Sequence, residues 1–313
     1  MSAKPVKDVA VSVRDRLLKL AHERGEDFQL TLIHYALERL LYRLSRSKHR
    51  ERFVLKGAML FSLWTGEPHR ATSDLDLLGS GDNAVGALEA VFHEICQTPV
   101  EDDGLEFLVD SIRGEEIRDA QEYLGVRLIF TARLAGARIP MQVDVGFGDA
   151  VIPQPETVDY PILLDFPAPR VLVYPREAVV AEKFQAMVIL GIANSRMKDF
   201  YDLWTLARQF AFEGPKLSAA IRATFNRRGT PIPTDAPLAL TTAFADDATK
   251  QTQWSAFLKK GRLAVDKSDL GTVIATLREF LMPPTIAAGS GKPFDMIWPA
   301  GGPWQASSDK KRK

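Results

Sequence analysis

Two acidic residues, Asp74 and Asp76, lie on a short apolar stretch in the first quarter of the sequence. Because strand side chains alternate between faces, both carboxylates would project from one face while Leu75 and Leu77 project from the other. Like charges whose Cα atoms are held about 6.5–7 Å apart destabilise each other unless a cation lies between them. Carboxylate oxygens suit Mg²⁺. The pair therefore predicts a metal site, and solvated carboxylates at a strand end are the structural alternative.

A glycine turn lies shortly before the acidic pair. Lys56 and Gly57 follow the apolar residues 53–55, and an apolar helical stretch begins near Ala58. Glycine lets the backbone turn sharply and approach a ligand closely. Free N–H groups at the start of a helix favour phosphate. A phosphate-binding turn followed closely by metal-binding carboxylates predicts a protein that handles a nucleoside triphosphate.

A third acidic residue, Asp144, lies on a predicted strand between Val143 and Val145. Its side chain would face away from the two valines. The glycines that follow, Gly146 and Gly148, fit a strand end that opens onto a cleft. Alternation along a sheet surface explains the same pattern, so the residues alone leave both interpretations open.

Two predicted helices further along carry a lysine and two aspartates. Lys183 lies one residue away from the apolar stripe of its helix, where a lysine commonly extends its charged end to solvent. Asp199 and Asp202 are three residues apart and therefore neighbours on one helix face. Acidic residues in a first helical turn also complement the helix dipole. Arg196 and Lys198 beside them indicate more than capping.

These residues resemble a known family, the AbiEii/AbiGii-type nucleotidyltransferase toxins. Its members are the catalytic halves of toxin–antitoxin and abortive-infection systems, with a polymerase-β-like fold. The usual second residue of the glycine turn, Gly or Ser, is Ala58 here, which keeps the backbone donor but removes a hydroxyl contact to phosphate. The resemblance spans about residues 30–210, and the matching segments are Lys56-Gly57-Ala58, Arg70-Ala71-Thr72-Ser73-Asp74-Leu75-Asp76, Glu182-Lys183 and Lys198-Asp199-Phe200-Tyr201-Asp202-Leu203.

The resemblance implies roles for these residues. The catalytic residues that it implies are Asp74, Asp76, Asp144, Lys183, Asp199 and Asp202. The first three would hold Mg²⁺, with Mn²⁺ as an alternative, and Asp144 would help to deprotonate the attacking hydroxyl. Lys183 would bind the triphosphate, and Asp199 is favoured over Asp202 as the second carboxylate of the site. The nucleotide-binding residues that it implies are Lys56, Gly57, Ala58, Arg70, Ser73, Lys183 and Lys198.

Composition and charge exclude several classes of protein. The chain has 313 residues with 40 Lys+Arg and 40 Asp+Glu, so RNA would have to bind through a local patch and not through a global field. Such a patch exists at the basic residues of 43–52, although a solvated helix end is the favoured interpretation there. The single cysteine, Cys96, excludes a disulfide framework and a cysteine zinc site. Together with a charged N-terminal segment and the absence of 18 consecutive apolar residues, it predicts a cytoplasmic protein without membrane contact.

The pattern of elements predicts an α+β, bilobed protein. Its predicted lobes are a nucleotidyltransferase lobe over 1–165 with a mixed sheet and flanking helices, a mainly helical lobe over 166–282, and a flexible tail over 283–313. A proline-rich segment, 149–177, would cross between the lobes. The predicted helices are 5–24, 29–45, 83–97, 177–191, 197–210, 216–226, 250–264 and 268–282, and the predicted strands include 105–112, 125–134 and 139–148.

The sequence therefore predicts a Mg²⁺-dependent nucleotidyltransferase whose substrate is an NTP. The resemblance implies an RNA acceptor, the 3′ end of tRNA, with arrest of translation and growth as the outcome, and a cognate antitoxin as partner. A phosphotransferase on the same fold and a non-catalytic nucleotide-binding regulator are the alternatives. A metal-dependent nuclease is the least favoured, because the glycine turn would then have no task.

Overall fold

A computed structural model describes residues 8–66, 70–118, 124–261, 263 and 269–307 of the chain. Contacts divide the chain into two units. The first comprises the chain up to Gly148 together with Glu156–Val173, and the second comprises Asp149–Pro155 together with the chain from Tyr174 onward. The first unit therefore extends past the predicted boundary at residue 165, because residues 170–173 form a strand that belongs to its sheet.

The described part of the first unit contains a mixed sheet with helices packed against it. Its strands are β1 (Phe53–Lys56), β2 (Asp74–Gly79), β3 (Leu105–Arg118), β4 (Leu124–Leu134), β5 (Ala137–Phe147), β6 (Glu156–Asp159) and β7 (Arg170–Val173). Their order is β3-β4-β5-β2-β1-β7-β6, in which the pairs β1–β7 and β2–β5 are parallel and the other pairs antiparallel. The helices are α1 (Val9–Arg24), α2 (Phe28–Arg46), α3 (Met59–Thr65) and α4 (Val85–Cys96). This arrangement confirms the predicted α+β class.

Helix α2 covers the apolar face of the sheet. Asp27 caps its first turn by accepting a hydrogen bond from the Leu30 N–H, which satisfies one of the donors that a helix start leaves free. The helix is buried on nearly every side, and Leu37, Leu40 and Leu41 are each at most 1% exposed. Strand residues that are buried to the same degree include Leu55, Leu75, Leu77, Val143 and Val145. Because side chains alternate along a strand, the residues between them point to the other face.

The second unit is mainly helical, with a small sheet. Its helices are α5 (Arg176–Leu190), α6 (Met197–Gln209), α7 (Gly214–Arg227), α8 (Thr242–Ala245), α9 (Ala248–Gly261) and α10 (Leu270–Ser290). Three short strands, β8 (Phe212–Glu213), β9 (Met296–Trp298) and β10 (Gln305–Ala306), pair in the order β10-β9-β8. No helix among the described residues has the length and apolarity that crossing a bilayer requires.

The ordered structure extends further than predicted, into the segment 283–313 that was predicted to be a flexible tail. Helix α10 continues through Pro283 and Pro284 to Ser290 instead of ending at 282. Pro284 cannot donate to the carbonyl of Phe280, four residues earlier, but the Trp304 indole N–H donates to that carbonyl at 3.0 Å. Up to residue 307 the segment after the helix is therefore packed structure, with Trp298 only 1% exposed. Residues 308–313 lie outside the described part of the chain.

The hairpin of β3 and β4 also differs from the prediction. The charged stretch that begins at residue 113 was predicted to be a turn, yet β3 continues to Arg118. The register shifts between Leu108 and Arg113, so the strand carries an irregularity at the place where the apolar alternation ends. The rest of the predicted turn, 119–123, lies outside the described residues.

Candidate active site

The sheet brings Asp74, Asp76 and Asp144 together. Asp74 and Asp76 are two residues apart on β2 and so project from one face. In the parallel pair of β2 and β5, Asp76 is the register partner of Asp144. All three side chains are half-buried, and one carboxylate oxygen from each lies within 4.8 Å of the others. Three carboxylates in that space form a hard oxygen donor set of the kind that binds a divalent cation.

Gly57 packs directly against the acidic cluster. It lies directly after β1 with φ +77°, a conformation that residues with a side chain rarely adopt. A Cβ atom placed on it would lie 1.9 Å from Oδ2 of Asp76. The space that a side chain would need is thus occupied by the Asp76 carboxylate, and only glycine leaves that carboxylate in position.

The other two residues of the predicted turn flank Gly57. Lys56 is the antiparallel register partner of Asp76, so its side chain projects from the same face of the sheet as the acidic cluster. Ala58 is buried and occupies the N-cap position of α3 without a side-chain hydrogen bond. Helix α3 has only seven residues, so the turn can offer a ligand local N–H groups but no long helix.

Arg127 is a functional candidate that the sequence analysis missed. Its guanidinium donates to both oxygens of Asp144, from Nε at 2.9 Å and from Nη2 at 2.8 Å. Asp144, through this hydrogen bond and its charge, raises the pKa of Arg127. A signal did exist, because a two-residue turn at Ala135 and Gly136 sets the register of the hairpin and makes Arg127 the partner of Asp144.

The loop before β2 is held in place by two hydrogen bonds of Thr72. Its hydroxyl contacts the Asp74 carboxylate. Its carbonyl accepts a hydrogen bond of 2.8 Å from Nε2 of His34 on α2, which fixes the hydrogen on that nitrogen. Burial lowers the pKa of His34, which favours the neutral ring. No sequence pattern marked His34, because the contact joins residues 38 positions apart.

A small cavity lies beside the glycine turn. Ala58, Arg70 and Thr72 line it, together with His34 and Glu38 of α2. The structure therefore brings the predicted nucleotide-binding residues Ala58 and Arg70 to one cavity. Ser73, the remaining predicted residue of this loop, is exposed. Burial raises the pKa of Glu38 to about 7.

The second unit holds a separate charged cluster, made of Lys183, Asp199, Asp202 and Arg196. The ammonium of Lys183 lies 2.7 Å from Asp199 and 2.8 Å from Asp202, and Nε of Arg196 lies 2.6 Å from Asp199. Both aspartates are fully buried. Asp199 and Asp202 are thus placed to hold Lys183 in position. Lys198 is exposed, and within the described residues no recorded contact joins it to this cluster.

Most of the basic residues between 43 and 52 have structural partners. Arg43 is buried and donates to Asp103 at 2.7 Å and 3.0 Å. Arg52 donates to the backbone carbonyls of Ser80 and Asp82. Lys48 and His49 both contact Glu94, at 2.9 Å and 2.7 Å. The favoured interpretation was a solvated helix end, but Arg43 is buried and these contacts give the segment a structural role.

Comparison with a family model agrees with the resemblance noted in the sequence. The model of the family described as "Nucleotidyl transferase AbiEii toxin, Type IV TA system" matches residues 39–280. No curated protein matches the chain. Among solved structures, a candidate nucleotidyltransferase of Helicobacter pylori is 15% identical with a TM-score of 0.44, covering 83% of this chain and 95% of its own. The protein JHP933 of the same organism is 14% identical with a TM-score of 0.45, covering 83% of this chain and 92% of its own.

The family match includes every segment that carries the resemblance, from the glycine turn and the acidic cluster to Lys183 and Asp202. It extends over most of the chain and over both units. The chain therefore belongs to the AbiEii family of nucleotidyl transferase toxins of type IV toxin–antitoxin systems.

Proposed function

We propose that this chain is a Mg²⁺-dependent nucleotidyltransferase that moves a nucleoside monophosphate from an NTP to the 3′ end of an RNA, with tRNA as the acceptor. One observation carries the proposal. Oxygens of Asp74, Asp76 and Asp144 lie within 4.8 Å of one another, beside a turn at Gly57 whose missing side chain leaves space for the Asp76 carboxylate.

The donor set fits a magnesium ion. All three side chains supply carboxylate oxygens, which Mg²⁺ prefers, and they are only half-buried, so water and phosphate oxygens could be further ligands. Asp74, Asp76 and Asp144 would hold the ion, with Mn²⁺ as a substitute. The chemistry that a bound ion supplies is neutralisation of the triphosphate and activation of the attacking hydroxyl.

The protein's own groups would position the nucleotide. Backbone N–H groups of the turn at Gly57 and Ala58 would donate to phosphate oxygens, and Lys56 would add positive charge from the same sheet face. Arg70, which lines the cavity beside the turn, would contact the nucleotide. Asp144 would accept the proton of the attacking hydroxyl. Phosphoryl chemistry of this kind depends chiefly on alignment and electrostatic stabilisation.

Lys183 would neutralise charge on the pyrophosphate as it leaves. An ammonium is a compact point charge that binds phosphate from any direction. Its hydrogen bond to the buried Asp199 and its ion pair with the buried Asp202 keep it charged and limit its motion. In this proposal Asp199 and Asp202 position Lys183 and do not themselves contact the nucleotide. Lys198 and Ser73, both exposed, would contact the outer part of the nucleotide.

The acceptor and the partner rest on the family. The family's description as a toxin of a type IV system implies that a cognate antitoxin exists. Blocking of the tRNA 3′ end would stop aminoacylation and therefore translation and growth.

Transfer of labelled nucleotide tests the proposal directly. Purified chain is incubated with Mg²⁺, total RNA or tRNA, and each of the four NTPs labelled at the α-phosphate. We expect label to enter tRNA. We expect no label to enter tRNA whose 3′ end has been oxidised with periodate beforehand. Asp76→Ala should transfer nothing, whereas Asp159→Ala, which removes an exposed carboxylate from β6 of the same unit, should transfer normally.

Three outcomes would contradict the proposal. If no α-label reached any RNA or protein with any NTP, the chain would not be a nucleotidyltransferase under these conditions and the acidic cluster would need another role. If γ-label moved in place of α-label, the chain would be a phosphotransferase. Labelling of oxidised tRNA would refute the 3′ end as the acceptor.

A further inference from the structure

Arg127 donates hydrogen bonds to Asp144, one of the three carboxylates that the proposed function assigns to the metal. It lies on β4 directly across from Asp144 on β5, so both side chains project from the same face of the sheet. The two hydrogen bonds between them, of 2.9 Å and 2.8 Å, form a fork on both carboxylate oxygens. The side-chain amide of Gln142 lies 3.3 Å from each of the same oxygens. Asp144 is therefore well supplied with donors before any cation arrives.

The charge balance explains why an arginine lies there. Three carboxylates whose oxygens lie within 4.8 Å repel one another strongly in a half-buried site. A guanidinium keeps its charge at all physiological pH values. The arginine can therefore compensate the acidic cluster when no divalent cation does.

A neutral donor and a cation affect a metal ligand in opposite ways. A neutral donor orients the ligand, and its loss typically weakens metal binding by 10–100-fold. A cation paired with both oxygens lowers the negative charge that the ligand offers and repels a second cation. The fork on Asp144 is of the second kind, and the side chain of Arg127 is still 34% exposed, which gives it space to turn away.

We infer that Arg127 is the built-in counter-ion of the metal-free site and competes with the divalent cation for Asp144. The inference rests on the proposed function, because it takes Asp144 to be a metal ligand. Arg127 is thus a positioning residue that keeps the acidic cluster assembled between turnovers and sets how tightly the cation is held.

The test compares metal affinity with metal-free stability in Arg127→Met. Binding of Mn²⁺ is measured by electron paramagnetic resonance titration without nucleotide, and the melting temperature is measured in EDTA and in Mn²⁺. Removing the competing charge should tighten Mn²⁺ binding about tenfold, within the 5–150-fold range usual for coupled sites. The melting temperature in EDTA should fall, and the rise on adding Mn²⁺ should exceed that of the natural chain.

A matched control is available on the same strand. Arg133 projects from the same face of β4, six residues further on, and its register partner is Arg138 and not a carboxylate. Arg133→Met should leave the Mn²⁺ affinity unchanged. Arg127→Lys keeps the charge but not the fork, and its Mn²⁺ affinity should lie between those of the natural chain and Arg127→Met.

Opposite signs for stability and affinity support the inference. If Arg127→Met bound Mn²⁺ more weakly, Arg127 would merely orient Asp144, and an unchanged affinity would make it a bystander; either result overturns the inference. Should Arg127→Met fail to fold in EDTA, the Arg127→Lys comparison decides the same question. Both readouts omit nucleotide and RNA, so a chain that binds Mn²⁺ but transfers nothing would refute the proposed function alone.

Discussion

Two acidic clusters in this chain have opposite environments. The cluster of Asp74, Asp76 and Asp144 is half-buried on an open sheet face, with Arg127 as a forked partner of one of its carboxylates. The pair of Asp199 and Asp202 is fully buried in the second unit. Lys183 contacts both of these aspartates, and Arg196 contacts Asp199.

This difference in burial and charge compensation suits the first cluster to binding a ligand and the second to supporting Lys183. A buried carboxylate is stable only when cations and hydrogen bonds replace the water it loses. Lys183 and Arg196 provide that replacement for Asp199 and Asp202, so these aspartates have little left to offer a ligand. The first cluster keeps an excess of negative charge and contact with solvent, which are the conditions for binding a divalent cation.

The largest effect should come from removing one carboxylate of the first cluster. Asp74→Asn should lower nucleotide transfer on the order of a thousand-fold, as removal of a group that stabilises transition-state charge does. Its unfolding free energy in chelator should not fall, because one repelling charge is lost while the Thr72 hydroxyl can still donate to the remaining oxygen. The rate of nucleotide transfer measures the activity, and urea denaturation in EDTA measures the unfolding free energy. If the variant lost unfolding free energy in EDTA as well as transfer activity, the first cluster would have a structural role like the second.

Removing the cation of the second cluster should lower stability as well as nucleotide transfer. Lys183→Met leaves Asp199 and Asp202 buried, with Arg196 in contact with Asp199. Breaking a buried ion pair typically costs about 3–5 kcal/mol, which urea denaturation would detect. Lys198→Met, an exposed lysine on the same helix as both aspartates, should change the unfolding free energy by less than about 0.5 kcal/mol. Equal stability of the Lys183 and Lys198 variants would show that the buried pair does not depend on Lys183.

Metal removal should separate the clusters further. At a Mg²⁺ concentration about a hundred times the Kd, a site that binds only the folded chain raises the unfolding free energy by about 2.7 kcal/mol. Asp144→Asn should remove most of that difference between Mg²⁺ and EDTA, measured by urea denaturation. Exposed Asp159→Asn, on β6, should keep it. A natural chain that is equally stable in both solutions would argue against a divalent cation at the first cluster.

A carboxylate outside both clusters, Glu38, should show the smallest change in unfolding free energy. It is buried like the second cluster but, among the described residues, has a single arginine beside it. It is 2% exposed, and it forms an ion pair with Arg39, 2.8 Å away. Burial raises its pKa from 4.5 to about 7. The folded chain therefore holds the proton more tightly than the unfolded chain, and this stabilisation is full below about pH 4.5 and lost as the pH rises through 7.

Glu38→Gln cannot titrate and should lack this pH dependence. The unfolding free energy of the natural chain minus that of the variant should fall by about 2.5 kcal/mol from pH 5 to pH 8. Urea denaturation at the two pH values measures it, with the exposed Glu51→Gln as control. A difference that stays constant would mean that Arg39 compensates Glu38 as completely as two cations compensate the second cluster.

Much of the fold follows from local patterns in the sequence. The helix predicted at 197–210 is observed as Met197–Gln209, and the one predicted at 177–191 as Arg176–Leu190. The prediction failed where a distant residue changed the local rule. Helix α10 passes two prolines because an indole N–H from Trp304 satisfies a carbonyl that Pro284 leaves free.

The candidate site divides in the same way. That Asp74 and Asp76 share a face is determined by the period of a strand, and the sharp turn at Gly57 by the absence of a side chain. The roles assigned to these residues and to Asp144 and Lys183 stay predictions until activity is measured.

The sequence by itself determined the local geometry of this protein, because strand and helix periods depend only on neighbouring residues. Only the tertiary structure decided which charges are compensated. Arg127 meets Asp144 through the pairing of two strands, and Lys183 meets Asp202 through the packing of two helices. Burial and long-range pairing control the free energy of a carboxylate, and neither can be read from its neighbours in the chain.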